Sequence, residues 1–396
     1  MSYILCYICS IFYVMNPFAV THYRGPIYFC DRAEETAAII EAIRSNRSIT
    51  LYAIRRIGKT GLIHHVFEAM KKEDENSEGI YIDILDTKDE NDFINKLIGA
   101  SLGIFKGTTD NFFSSILQSL SRLKPKISMD TLTGNPTIEL DIKTPEDLKI
   151  GLDTLFTFIK KSKKNVVIAI DEFQQIESYA ESRIAATLRA FMQETQNVSF
   201  IFSGSKKHML LNLFATPKKA LYRSTQLMEL NKIDRNEYTS FITHHFKQGL
   251  YKIERTMVDE ILNWTKSHTY YTQYFCNRLY SYKSVEKTIT HQDINDIKLQ
   301  LLQENENVYY TYKNLSSSKQ WQLLEAIAIE EEVINITSSK FIQTYQLGAH
   351  STVRLSIRYL VDNELVYTTI DPTTEKLVYH PYDPLLMRWV QYRHNG

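Results

Sequence analysis

The 396-residue sequence has few cysteines, no excess of charge of either sign and no long hydrophobic run. Its four cysteines are Cys6, Cys9, Cys30 and Cys276, too few and too scattered for a disulfide framework. Cys6 and Cys9 form a CxxC pair, but no second pair follows at metal-ligand spacing, so we interpret the spacing as chance. This cysteine usage predicts a reducing, cytoplasmic setting.

The charges balance. Lysine plus arginine and aspartate plus glutamate each total 46, so the formal net charge is zero. The field of the whole protein therefore gives no general attraction to nucleic acid or to acidic membranes. Any DNA binding requires a local basic patch.

The most apolar stretch is the first, MSYILCYICSIFYV, which has 14 residues. A bilayer crossing needs roughly 20 residues, and this stretch lacks a basic leader and is soon followed by Pro17. We interpret residues 1–14 either as a mis-assigned start ahead of Met15 or as a small docking strand, and we expect no stable membrane anchor.

Apolar runs alternate with stretches of helical periodicity over the first 230 residues. This order predicts an α/β fold, an open parallel sheet with helices on both faces. A β-hairpin insertion is expected at 124–142, around the turn residues TLTGN. Strands are predicted at 48–54, 80–84, 165–170 and 198–202, and helices at 34–45, 58–71, 90–105, 144–161 and 179–195.

Beyond Leu230 the predicted strands stop and four helical segments follow. From Ser316 the pattern becomes three helices and a hairpin of LVYTTI and LVYH, which is typical of a winged helix. We therefore expect four parts: an N-terminal segment at 1–28, an α/β core at 29–229, a helical module at 230–314 and a winged helix at 315–396.

The stretch LYAIRRIGKTGLIHHV contains a variant of the phosphate-binding loop GxxxxGK[ST]. Such a loop points backbone N–H groups and a helix N-terminus at phosphates, while its lysine reaches the outer phosphates and its hydroxyl holds Mg²⁺. Alanine stands where the first glycine is usual, which matters only if that position requires a positive φ. The predicted nucleotide-binding residues are Ala53, Ile54, Arg55, Arg56, Ile57, Gly58, Lys59, Thr60 and Gly61.

A second element of the same chemistry is the apolar strand in VVIAIDEFQQ, which ends in two carboxylates. Asp171 is the candidate partner of Mg²⁺, together with Thr60. Glu172 is the candidate general base that orients and polarises the attacking water, so Glu172 and Lys59 are the predicted catalytic residues. The alternative is a solvated acidic strand end.

The next strand ends in FIFSGS. Ser203 and Ser205 are candidate sensors of the terminal phosphate, although serine and glycine after a strand also simply make turns.

The tetrapeptide NKID at 231–234 matches a guanine-recognition motif. However, the glycine of the DxxG motif is missing after Asp171, and Asp234 with Glu237 fits a helix capping box better. ATP is therefore the expected nucleotide.

The segments RRIGKT, DEFQQI, FIFSGS, YYTQYFC and YDPLLMRWV together resemble the archaeal-type P-loop ATPases, an AAA+-related group of signal-transduction ATPases with numerous domains. The resemblance runs from Met15 to Trp389. It implies an ATP-binding core, a helical lid at 230–314 and a C-terminal winged helix.

The resemblance also implies further contacts with the nucleotide. Phe29 to Arg32 is similar to the family's N-terminal box, which places Asp31 and Arg32 near the base; the alternative is a surface pair of Arg32 with Glu35. The family's lid motif reads Gly-His-Pro-Tyr-Tyr, and Ser267 to Tyr271 keeps its histidine and tyrosines, so His268 is a further candidate.

We expect the protein to be an ATP-dependent conformational switch that relays slow hydrolysis to its winged helix. Arg354 and Arg358 lie four residues apart on the expected recognition helix, so the partner is either duplex DNA or a protein client. The alternatives are a nucleotide-gated binding module that does not hydrolyse ATP and a DNA-binding regulator. The oligomeric state is left open.

Overall fold

The computed structural model describes residues 16–101, 118–129, 136–142, 144–162, 164–180, 182–282 and 287–395. They form two compact units. The α/β unit is Gly25–Asn231, and the helical unit comprises the described part of Met1–Arg24 together with Lys232–Gly396. The first cysteine pair, the apolar N-terminal stretch and the turn TLTGN lie outside the described residues.

The α/β unit contains a five-stranded parallel sheet, as the alternating pattern predicts. The strand order is β2-β5-β6-β1-β7. The strands of this sheet are β1 (Ile49–Tyr52), β2 (Ser77–Asp83), β5 (Asn165–Asp171), β6 (Val198–Gly204) and β7 (Gln226–Glu229). The helices of the unit are α1 (Ala33–Arg44), α2 (Lys59–Glu73), α3 (Glu90–Ser101), α4 (Pro145–Lys161), α5 (Ile184–Glu194) and α6 (Lys207–Ala215).

Strand β5 shows why the sheet is covered on both faces. Successive side chains of a strand point to opposite faces. Val166, Ile168 and Ile170 pack in one apolar cluster with α3, α4 and α5, whereas Val167 and Ala169 pack in a second cluster with α1 and α2. Its unbroken apolar run is therefore the consequence of burial on both faces.

Two smaller predictions in this unit are confirmed. The insertion is an antiparallel hairpin of β3 (Lys126–Met129) and β4 (Pro136–Glu139). The helix predicted at 144–161 is α4. It begins after Thr144, whose hydroxyl accepts from the backbone N–H of Asp147 at 3.2 Å, and the two residues form a capping box.

Two other features differ from the prediction. The helix expected from Tyr179 begins at Ile184, because Phe173–Ser178 is a 3-10 turn and the Tyr179 side chain is buried, 2.5 Å from the Thr87 hydroxyl. Strand β7 was not predicted, since it lies at the sheet edge and most of its side chains are exposed.

The helical unit includes an N-terminal segment that is distant in sequence from its helices. Phe18 is fully buried, and its ring contacts the rings of Phe246 and Tyr280 at centroid distances of 5.2 and 5.9 Å. The helices of the first part are α7 (Arg235–Gln248), α8 (Arg255–Trp264), α9 (Thr269–Tyr282) and α10 (His291–Leu315).

The remainder of the helical unit has the predicted order of three helices and a hairpin, and a final helix follows. These elements are α11 (Ser318–Glu330), α12 (Ser339–Thr344), α13 (His350–Asp362), β8 (Val366–Ile370), β9 (Leu377–Pro381) and α14 (Pro384–Asn395). Strands β8 and β9 are antiparallel and form the wing. Among the described residues, no helix combines the length and hydropathy that a bilayer crossing requires.

Candidate functional site

The candidate loop lies between β1 and α2, where the sequence places it. Gly58 adopts φ +104°, immediately before α2 begins at Lys59. Arg56 also has a positive φ, of +61°. The loop therefore bends sharply into a helix N-terminus, the positive end of the helix dipole, which is a ready-made site for phosphate.

Ala53 has no positive φ. Alanine therefore adopts this backbone without the steric penalty that a left-handed conformation imposes on a Cβ. The Ala53 side chain is buried, and its backbone N–H donates to the Gly204 carbonyl at 3.4 Å. The backbone at this position therefore does not require glycine.

Lys59 spans the loop. Its side chain is buried, and its Nζ donates to the Ala53 carbonyl at 3.3 Å. Arg55, also in the loop, donates from Nε to the Ser205 hydroxyl at 3.4 Å. Both cations of the loop are therefore held by hydrogen bonds.

The threonine and aspartate predicted to act together are in direct contact. Thr60 Oγ1 donates to Asp171 Oδ2 at 2.8 Å. The same oxygen accepts from the Tyr81 hydroxyl at 3.0 Å, while Asp171 Oδ1 accepts from the backbone N–H of Glu172 at 3.0 Å. Burial first, and then the charge of Asp171, raises the pKa of Tyr81, so its phenol remains a neutral donor.

Glu172 follows the end of β5 in a left-handed conformation with φ +54°. Its Oε2 accepts from Gln174 Nε2 at 2.5 Å and from Ser205 Oγ at 3.1 Å. A non-glycine residue held at positive φ is strained, and such strain clusters at functional sites.

A third carboxylate lies at the same carboxyl-terminal end of the sheet's strands. Asp83 is paired with Asp171 in the register of β2 and β5. Burial raises the pKa of Asp83, and the charges of Asp171 and Glu172 raise it further. This end of the sheet is therefore strongly acidic, which favours a cation there.

The two candidate serines differ. Ser205 donates to the Glu172 carboxylate and accepts from Arg55, so it lies beside the candidate base. Ser203 is fully buried in β6, and its hydroxyl has no hydrogen-bond partner within the part of the chain that the structure describes. Its role as a phosphate sensor stays a prediction.

The N-terminal box packs against the loop. Arg32 is buried and donates to the carbonyls of Asn231 at 2.7 Å and Ile57 at 3.5 Å. Asp31 and Arg32 have φ of +54° and +74°. Arg32 also pairs with Glu35 at 2.7 Å, but it is a buried tie and not only a surface pair.

Phe29 approaches the start of α2. Its ring stacks on His65 at 4.5 Å, and a Cβ on Gly61 would lie 3.3 Å from Phe29 Cε2. The glycine after Thr60 thus permits this close packing.

A known ATPase family matches the part of the chain that carries this site. The family model described as "ATPase domain predominantly from Archaea" matches residues 29–275, more than half of the chain. The chain belongs to this ATPase family. It is therefore a nucleotide-binding, ATP-hydrolysing protein, and the resemblance to archaeal-type P-loop ATPases is confirmed. A second family model, "Probable winged helix domain", matches residues 307–392.

Solved structures agree on the fold of this ATPase. The Walker-type ATPase of Pyrococcus abyssi is similar with a TM-score of 0.65 and 14% identity, covering 95% of this chain and 99% of that one. The ORC2 protein of Aeropyrum pernix, in ADPNP–ADP complexes, is similar with a TM-score of 0.57 and 11% identity, covering 96% and 99%. At these identities the likeness establishes the fold alone. No curated protein matches the chain.

In the helical unit of the ATPase, His268 is buried at the start of α9. It follows Lys266 and Ser267, whose φ angles are +56° and +52°. The position where the family carries glycine is therefore left-handed here. A contact of His268 with nucleotide stays a prediction.

The guanine-like motif of the ATPase is explained by helix capping. Asp234 caps α7, its side chain accepting from the backbone N–H groups of Asn236 at 2.8 Å and Glu237 at 3.2 Å. The N-cap is as predicted, but the return bond from the Glu237 side chain that would complete a capping box is not among the described contacts.

Two residues of the site were missed from the sequence, Tyr81 and Gln174. Tyr81 lies in β2 and reaches Asp171 from the neighbouring strand, and Gln174 reaches Glu172 from the 3-10 turn. No spacing rule marks a tyrosine on a separate strand. Gln174 could have been found by its place two residues after the candidate base.

Proposed function

We propose that the chain is an ATP-driven conformational switch in which Ala53 to Gly61 bind Mg²⁺–ATP and Glu172 acts as general base. The observation that carries this proposal is the 2.8 Å contact between Thr60 Oγ1 and Asp171 Oδ2, with Glu172 as the next residue. The fold thus brings together groups from two separate segments of the chain. The Thr60 hydroxyl and Lys59 come from the loop and α2, and the carboxylates of Asp171 and Glu172 come from the end of β5.

The donor atoms suit magnesium. Hydroxyl and carboxylate oxygens are the ligands that Mg²⁺ prefers, and the ion is usually held by one or two carboxylates together with substrate phosphates and water. Thr60 and Asp171 would hold it. When bound, the ion neutralises phosphate charge.

The chain's own groups supply the remaining parts of hydrolysis. The N–H groups around Gly58 and the N-terminus of α2 bind the phosphates, and Lys59 exchanges its bond to the Ala53 carbonyl for one to the outer phosphates. Glu172 accepts a proton from water as the water oxygen bonds to the γ-phosphorus. The bond from that phosphorus to the bridging oxygen breaks, leaving ADP and phosphate.

Because hydrolysis requires a fixed base, the alternative of a nucleotide-gated module without turnover predicts a different result. Glu172→Gln should retain ATP and lose turnover in a switch enzyme, whereas a pure binder has no turnover to lose. The relay of nucleotide state to the winged helix is part of this proposal. So are base contacts by Asp31 and Arg32, and a contact of His268 with either the phosphates or the adenine.

The test is equilibrium binding of ATP and of GTP, each with Mg²⁺, to the wild type and to Lys59→Ala, with phosphate release from the same samples. We expect ATP to bind in preference to GTP and Lys59→Ala to lose at least about tenfold in ATP affinity, since it removes a charge-assisted bond. The matched control is Lys71→Ala at the other end of α2, where an exposed pair with Glu78 contributes at most about 1 kcal/mol. Equal losses in both variants contradict the assignment.

A second candidate partner is duplex DNA, bound through the winged helix. Arg354 and Arg358 are exposed on one face of α13, but Leu355 between them is 67% exposed, which suits a protein client equally. Duplex binding that weakens steeply with salt and is lost in Arg354→Ala/Arg358→Ala supports DNA. Salt-independent or absent duplex binding favours the protein client.

A further inference from the structure

Gln174 is a buried polar residue that the proposed function does not use. It lies in the 3-10 turn Phe173–Ser178, and only 4% of its surface is exposed. Its Nε2 donates to Glu172 Oε2 at 2.5 Å. A buried amide normally bonds at both ends, yet Oε1 has no hydrogen-bond partner among the described residues. Hydrogen bonding alone therefore does not explain why a glutamine is buried at this position.

Gly204 provides the space that the Gln174 amide occupies. A Cβ built on Gly204 would lie 2.1 Å from Gln174 Oε1 and 3.2 Å from its Cδ. Gly204 has no positive φ, so its backbone does not itself require glycine. The missing side chain at the end of β6 serves the close approach of Gln174.

The hydrogen bonds of Gln174 and Ser205 converge on one oxygen. Ser205 Oγ donates to Glu172 Oε2 at 3.1 Å, from the residue next to Gly204. Both described side-chain bonds to this carboxylate fall on Oε2. The carboxylate is thereby fixed in rotation, and Oε1 is the oxygen left to accept a proton.

We propose that Gln174, seated against Gly204, is a positioning residue that holds the Glu172 carboxylate for attack by water on ATP. This inference rests on the proposed hydrolysis with Glu172 as base. A general base must lie within hydrogen-bond reach of its proton, and a displacement of about 1 Å costs up to about a hundredfold in rate. Gln174 acts through Glu172 and does not itself touch the reacting atoms.

The experiment compares Gln174→Met, which removes the amide at similar length, with Gly204→Ala, which displaces it, and with the double variant. In each single variant we expect kcat for phosphate release to fall about tenfold or more, with the Kd for Mg²⁺–ATP within about twofold of the wild type. The double variant should be no slower than the slower single variant, because both changes break the same bond.

The matched control is Gln175→Met. The neighbouring glutamine donates from its side-chain Nε2 to the Thr87 carbonyl at 3.0 Å, and its side chain makes no described bond to the Glu172 carboxylate. Its backbone N–H donates to the Glu172 carbonyl at 2.9 Å, a bond that the substitution leaves in place. Its kcat should stay at the wild-type value, while circular dichroism checks that all variants are folded.

Each other outcome overturns the inference. An unchanged or raised kcat in Gln174→Met removes the positioning role, and multiplied losses in the double variant break the link to Gly204. Loss of ATP affinity along with kcat indicates collapse of the site. If the wild type releases no phosphate, the proposed hydrolysis fails as well; if it turns over normally and only the Gln174 variants behave unexpectedly, this inference alone fails.

Discussion

The phosphate loop and the turn before α9 each lack a glycine that the family carries, and the two losses differ in kind. Ala53 stands in the loop with no positive φ, so alanine is not strained there. Ser267 stands in the turn at φ +52°, directly after Lys266 at +56°. The residue that replaces glycine is therefore unstrained in the phosphate loop and strained in the turn before α9.

The strained turn is held by contacts from the winged helix. Lys266 forms an ion pair with Glu331, and Arg388 donates to Glu331 at 2.5 Å. Arg388 also donates to the Trp264 carbonyl at 3.0 Å. Burial would raise the pKa of Glu331, but the bonds from Lys266 and Gln391 and the charge of Arg388 outweigh it and lower this pKa to about 2. Surrounding structure that fixes a strained segment in this way allows it to persist.

The largest effect is expected for the glycine that the loop has kept. Gly58→Ala places a Cβ at φ +104° and should cost about 1–2 kcal/mol of unfolding free energy. It should also weaken Mg²⁺–ATP binding, because Gly58 lies within the proposed phosphate-binding loop. Thermal unfolding and equilibrium ATP binding measure the two effects. Wild-type stability and affinity in this variant would contradict the requirement for glycine at position 58.

An intermediate effect, of opposite sign, is expected in the turn before α9. Ser267→Gly removes left-handed strain and should raise the free energy of unfolding by about 0.5–1 kcal/mol, after allowance for the greater freedom of glycine in the unfolded chain. Chemical denaturation measures the change, and Ser317→Gly, at the N-cap of α11, serves as a control that should not stabilise. A destabilised Ser267→Gly variant shows that the serine makes contacts worth more than its strain.

The smallest effect is expected for Ala53→Gly, which restores the usual loop sequence. With no positive φ to relieve, the variant should lose about 0.5 kcal/mol of stability through unfolded-chain entropy. Its Kd for Mg²⁺–ATP should stay within about threefold of the wild type. An affinity that rises tenfold or more shows that alanine does impair the loop, and the two missing glycines are then alike.

The comparison also shows what the sequence could reveal. The strands with continuous apolar runs, β5 and β6, and the loop between β1 and α2 lie where the pattern predicts. Their signals are local, because burial on both faces and a sharp strand-to-helix turn each leave a mark within a few residues.

The features that escaped prediction depend on distant parts of the chain. Phe18 packs on helices more than 200 residues away, and Asn16 donates to the Asn277 carbonyl at 2.8 Å. β7 carries no apolar run because it is an edge strand. Tyr81 belongs to the site only because β2 lies beside β5. The residue types alanine and serine do not predict whether φ is negative, as at Ala53, or positive, as at Ser267.

The most direct test of the account is phosphate release and ATP binding by Glu172→Gln beside the wild type. We expect the wild type to hydrolyse Mg²⁺–ATP. The variant should bind Mg²⁺–ATP with a Kd within about threefold of the wild-type value and release phosphate at least about a hundredfold more slowly. A variant that turns over at the wild-type rate contradicts the role of Glu172, and a wild type that binds ATP without releasing phosphate contradicts the switch enzyme itself.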